Sequence, residues 1–218
     1  MNRSPGLTLT TTTAPTDQPD ERLVVRTAGA MDRLASWRVW FVSAVAFAIS
    51  ATVFFRSGLS FSISTVERLC GAPPLDVRLT STTGDVERFL SGCGIEGRRA
   101  YGRMLLADLI YPIVFGLFMA SSLALALARI GVQRASLRAL PAIALVGSGF
   151  DYIENLLAWR ALDAFPSPVM STHLLGVVSA AKTVTFWIAG LAVVALLVVV
   201  GLRAARARWR RRTTDMMS

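Results

Sequence analysis

On a long scale, four mostly apolar stretches punctuate the chain: residues 39–56, 104–128, 139–159 and 173–202, with arginines gathered at their flanks. A helix needs about 20 such residues to cross a bilayer, so the pattern predicts four transmembrane helices. The first run is slightly short, but Trp37 and Trp40 stand at one end as interfacial anchors. No small-residue cleavage site follows Phe54-Phe55-Arg56, so it reads as a retained span rather than a signal peptide. The second span carries Pro112, which a membrane helix tolerates where neighbours satisfy the freed carbonyl. Residues 57–103 form a long polar loop, within which Asp85 to Leu90 read as a short capped helix with Asp85 near its start. Residues 1–20, rich in threonine and proline, read as a disordered tail. Residues 21–38 are mildly amphipathic and lie along the inner membrane surface, and residues 203–218 form a basic tail. The fold class is all-α: a four-helix transmembrane bundle with a long extracytoplasmic loop between helices 1 and 2.

On a short scale, polar residues interrupt three of the spans. Asp151, Glu154 and Asn155 stand at i, i+3 and i+4, so they share one helix face, which Trp159 extends. Asp108 and Tyr111 share another; Ser179, Lys182 and Thr183, continued by Phe186, make a third. At 1.5 Å per residue from the outer ends of the spans, Asp108 and Glu154 lie about 8–9 Å deep, and Asp151 and Lys182 about 14 Å deep. Carboxyls in hydrocarbon are costly, and lipid offers them no partner. The agreement in depth therefore predicts one inward-facing cluster of Asp108, Asp151, Glu154, Asn155 and Lys182. Three acids against one lysine leave a surplus of carboxylate, so at least one acid is protonated or holds a cation, with Arg160 or Arg103 as further partners. Such a set suits acid/base chemistry or a proton relay. The bland reading is that these groups only fix helix pairing.

The 218 residues are 53% hydrophobic and only 17% charged, which excludes two soluble domains. The net charge of +9 comes almost wholly from arginine, Lys182 being the only lysine. These arginines flank the apolar runs, so the positive-inside rule explains them better than nucleic acid does. Short basic segments weigh most: Arg129, Arg134 and Arg138, and the run Arg203, Arg206, Arg208, Arg210, Arg211, Arg212, place both termini in the cytoplasm. The C-terminal arginines also meet anionic lipid head groups. Cys70 and Cys93 then lie outside, where a disulfide persists, worth about 3 kcal/mol by loop entropy. Two cysteines and one histidine are too few for a structural zinc site. His173, at the interface, reads as solvated or capping.

Gly94-Ile95-Glu96-Gly97-Arg98-Arg99-Ala100-Tyr101, then Asp108-Leu109-Ile110-Tyr111-Pro112, then Asp151-Tyr152-Ile153-Glu154-Asn155 and Lys182 follow in order. The order G-x-x-G-R-x-x-Y, D-x-x-[FY]-P, D-x-x-E-N and a late intramembrane Lys resembles a group of uncharacterised four-span bacterial membrane proteins. The resemblance covers about residues 94–187. It implies a bacterial cytoplasmic membrane protein with this cluster, and supplies no reaction and no cofactor. The paired-cysteine loop is this chain's own addition to that pattern.

Three functions fit. The first is a membrane enzyme acting on a lipid or isoprenoid. In it Asp151 or Glu154 donates the proton, Asp108 is the second acid, Lys182 holds one carboxylate ionised, and Tyr111 and Trp159 wall a cation. The second is a proton- or ion-coupled carrier, which with only four spans requires a dimer. The third is a non-catalytic membrane scaffold.

Overall fold

The computed structural model describes residues 19–167 and 172–215. Of the expected disordered tail, residues 1–18 lie outside the described residues, as do the side chains of Arg210, Arg211 and Arg212. Among the described residues the protein is all-helical, with no strand. The helices are α1 (Pro19–Asp32), α2 (Trp37–Arg56), α3 (Ile63–Cys70), α4 (Thr83–Gly92), α5 (Gly94–Ala107), α6 (Tyr111–Ile130), α7 (Ala135–Arg138), α8 (Ala142–Ala164) and α9 (Thr172–Asp215). A single 3-10 turn, Leu75–Val77, lies between α3 and α4.

Among the described residues three helical segments are long and apolar enough to cross a membrane: α2, α6 and the stretch His173–Trp209 of α9. Helix α8, at the expected third span, is not among them. Its 23 residues reach about 35 Å, enough for the hydrocarbon layer, but Asp151 and Glu154 lower its hydropathy. Those two groups face inward, at 5% and 0% exposure, while Val146, Ile153 and Leu156 are about half exposed (52%, 47% and 53%).

Helix α6 packs against α2, α8 and α9, and α8 against α9. The contacts combine small residues with hydroxyl bonds. A Cβ on Gly116 of α6 would fall 2.1 Å from Ser148 Oγ of α8, and one on Gly147 would fall 2.8 Å from the Phe186 ring of α9. Ser43 and Ser121 hydroxyls meet at 3.1 Å between α2 and α6. Trp40, expected as an interfacial anchor, donates its indole N–H to Ser122 at 3.0 Å, while Trp37 is exposed. Two arginines of the short basic segments also have structural partners. Arg138 pairs with Asp32 of α1, and Arg203 donates to the Ile130 carbonyl at the end of α6, at 2.7 Å. Helix α9 runs on through the basic tail to Asp215.

Two sequence expectations need correction. First, residues 57–103 are not a long polar loop with one short helix but a helical cap of α3, the 3-10 turn, α4 and most of α5. Their polar character reflects one exposed face; the other buries Val66, Leu75, Val86, Phe89, Leu90 and Tyr101 against Leu157 and Ala161 of α8 and Leu175 of α9. The capped helix runs beyond both ends of Asp85 to Leu90; it begins earlier because Thr82 and Asp85 form a reciprocal capping box at its N-terminus. A disulfide joins Cys70, the last residue of α3, to Cys93, between α4 and α5. Gly97 lies against it: a Cβ there would approach Cys70 Sγ to 3.0 Å.

Second, the span expected at 104–128 is not one helix. Helix α5 stops at Ala107, Asp108 to Ile110 form a turn, and α6 starts at Tyr111. The cause is Pro112, which has no N–H for the Asp108 carbonyl and crowds the preceding turn. Partners from α8 reach the broken backbone. The Tyr152 hydroxyl donates to the Leu109 carbonyl, and Ser148 Oγ donates to the Pro112 carbonyl at 2.6 Å.

Candidate functional site

The break at Pro112 turns Asp108 out of a regular helix and into the interior, where it is 4% exposed. Its Oδ2 accepts a hydrogen bond from Asn155 Nδ2 at 2.6 Å. One turn earlier on α8, Asp151 meets Lys182 of α9, with Nζ 3.2 Å from Oδ1. Lys182 also pairs with Glu154 Oε2, and Ser179 donates to Glu154 Oε1. The third ammonium contact is new: Nζ donates to the backbone carbonyl of Asp76 at 2.7 Å. Lys182 thereby ties the cap to α8 and α9.

The sequence-predicted residues thus form two linked sets, Asp108 with Asn155, and Asp151 and Glu154 with Lys182. They meet at a cavity of about 140 Å³ whose polar lining is Asp76, Asp108, Asp151 and Lys182. Tyr111 forms part of its wall with Phe54, Phe115 and Phe186. Tyr111 stacks on Phe54 and on Phe115, at centroid distances of 5.7 and 5.9 Å. Glu154 and Asn155 stand behind this lining and hold it from the rear.

Two expectations change. Trp159 does not wall the site; it is 38% exposed, on the outer face of α8, and the phenylalanines of α2, α6 and α9 take that place. Arg103 and Arg160 are exposed, and the ion pairs of the cluster are made by Lys182. His173 is exposed, with Nδ1 3.3 Å from the Thr83 hydroxyl.

Sequence reasoning missed Asp76. It sits in the 3-10 turn, 8% exposed, with Oδ1 buried and without a hydrogen-bond partner. Burial pushes its carboxyl up to about 6, against the opposing pull of the Lys182 ammonium and of its own backbone hydrogen bond. The available signal was slight: one acid between Leu75 and Val77, two residues after Pro73-Pro74. Nothing periodic marks it.

A second, apolar space shares two lining residues with the cavity. Lys182 and Phe186 also line a groove of about 460 Å³ along α9, with Thr183, Trp187, Gly190, Leu191 and Val194. From Lys182 to Val194 this groove follows the helix for about 18 Å.

No protein-family model matches the chain, and no curated protein or solved structure matches it either; the site is read from its own geometry.

Proposed function

We propose that the chain is a four-span protein of a bacterial cytoplasmic membrane, with both termini cytoplasmic, of the group its motif order resembles. In this reading α8 is the third of the four spans, between α6 and α9. Its carboxylates inside and apolar residues outside are the arrangement that lipid, not water, rewards. The cap over residues 57–107 faces the outer compartment, which suits its disulfide.

The cavity is the site of a membrane enzyme that acts on a lipid or isoprenoid by acid/base chemistry. One observation carries this: a small acidic cavity with aromatic walls and a long apolar groove along α9 share two lining residues, Lys182 and Phe186. Such a pair of spaces fits an amphipathic molecule, its head among the carboxyls and its chain against α9. Asp151 has an ammonium beside it, while Asp108 has only the Asn155 amide. Two carboxyls in unlike settings divide the roles of base and acid. Tyr111, Phe115 and Phe186 present ring faces suited to a cationic centre.

A scaffold reading draws on a different observation, the three contacts that make Lys182 a clasp between cap and bundle. Lipid extracts separate these readings. Cells carrying the wild-type chain, lacking it, or carrying Asp151→Asn at equal abundance are compared by mass spectrometry. The enzyme reading expects the deletion and Asp151→Asn to change the same lipid class. An Asp151→Asn strain with a wild-type lipid profile, against an altered deletion strain, removes the catalytic role. No lipid change in either strain, with altered proton flux in vesicles, points to the carrier.

A further inference from the structure

The chemistry of the cavity is one-sided. Its only lysine is fully engaged: the ammonium has three N–H groups, and it contacts the Asp76 carbonyl, Asp151 and Glu154. No lysine donor is left for a ligand. Asp108 Oδ2 already accepts from Asn155. What remains towards the cavity is acceptor capacity on carboxyl oxygens. Asp76, a lining residue, has its Oδ1 buried without a hydrogen-bond partner. Leaving a buried acceptor unpaired is unfavourable, so the site calls for a donor.

We propose that the cavity takes the ammonium head of an amphipathic lipid and that Asp76 is the residue that selects it. The proposal rests on the lipid-site reading above and names the head group for it. Three further observations agree. Four carboxyl groups, Asp76, Asp108, Asp151 and Glu154, surround a single ammonium, so a phosphate or carboxylate head meets uncompensated negative charge. The walls are aromatic faces, which attract a cation. Among the described residues no three acidic, histidine or cysteine side chains converge closely enough to hold a metal ion, so an organic cation fits the acids better.

Size points the same way. At about 140 Å³ the cavity is smaller than the ~300–1,000 Å³ typical of sites that enclose a whole drug-sized ligand. It accommodates a head, with the chain in the groove along α9. Asp76 is well placed to select. Its turn follows Pro73-Pro74, which restricts the backbone, and Lys182 holds its carbonyl. Asp76 therefore lines the cavity from a fixed place in the cap.

The test is calorimetric titration of the purified full chain, in a non-ionic maltoside at about pH 7.5, with dodecylamine, dodecanol and dodecanoate. The amine, charged at that pH, is expected to bind at least about tenfold tighter than the other two, as a charge-assisted hydrogen bond allows. Asp76→Asn is expected to erase that advantage while leaving dodecanol affinity within about twofold. An advantage that survives Asp76→Asn overturns the selecting role. If Asp76→Asn does not fold, Asp76→Ser is titrated in its place, with the same loss of the amine advantage expected. Dodecanol or dodecanoate ranking first or equal overturns the head-group assignment and leaves the lipid site standing. No binding by any of the three overturns both.

Discussion

Lys182→Met removes one ammonium and keeps most of the side-chain length. The structure sets the scale of the loss. Glu154 is fully buried and Asp151 is 5% exposed, and both lose their cation; the Asp76 carbonyl loses a donor. Removing one partner of a buried ion pair costs about 3–5 kcal/mol, because the remaining charge stays desolvated. The unpaired carbonyl adds about 1 kcal/mol. Asp151 lines the cavity and keeps some access to water, which holds the total near the lower end, about 4 kcal/mol. Adding Glu154→Gln removes the stranded charge while retaining an oxygen for the Ser179 hydroxyl. The double variant is therefore expected to regain about 2 kcal/mol relative to the sum of the single changes. The measurement is a double-mutant cycle of unfolding in mixed micelles titrated with dodecyl sulfate, followed by far-ultraviolet circular dichroism. A cost below about 1 kcal/mol for Lys182→Met, or single effects that simply add, refutes the idea that Lys182 clasps Glu154 in a dry interior.

Two other predictions test separate parts of the molecule. Gly116→Ala puts a methyl 2.1 Å from Ser148 Oγ, so it is expected to cost about 1–3 kcal/mol by overpacking. Adding Ser148→Ala leaves Ser148 Cβ and the Ala144 carbonyl as the nearest atoms, at 3.3 and 3.4 Å, so the double variant melts close to Ser148→Ala alone. Asp76 titrates with an inverted sign. Its carboxyl is raised from 3.8 to about 6, in a setting that includes Lys182, Asp151, Asp108, Arg78 and Tyr101. The folded state thus keeps a proton that the unfolded chain has lost. Its contribution is most favourable below about pH 4 and declines as pH rises to about 6, by on the order of 3 kcal/mol. Melting curves between those pH values should show Asp76→Asn gaining stability relative to wild type as pH rises; parallel profiles contradict the assignment.

The three apolar segments of α2, α6 and α9 were legible in the sequence, because crossing length and hydropathy are properties of a local run. So was the shared face of Asp151, Glu154 and Asn155, since helical period alone puts i, i+3 and i+4 together. The same rule failed at Trp159, one further turn along. The face is wide enough to bury Glu154 and Asn155 and still leave Trp159 outside, and only the packing of α6 and α9 fixes where that boundary falls. The cap read as loop because its helices are short and half exposed, so their buried face appears only once α8 and α9 are placed against it.

Which donor meets which carboxyl was beyond the sequence altogether. Lys182 had three acids within its stretch of the chain's depth, and the structure gives it Asp151 and Glu154 while Asn155 takes Asp108. That choice depends on helix rotation, set by the close approaches at Gly116, Ser148 and Gly147, and on the break that Pro112 forces before α6. Asp76 illustrates the limit. A single acid in an irregular turn carries no period, and it joins the cavity only because the folded cap brings residue 76 beside residue 182. The chain's composition and periodicity determined an apolar exterior with polar faces turned inward; long-range packing decided how those faces pair and what space they leave between them.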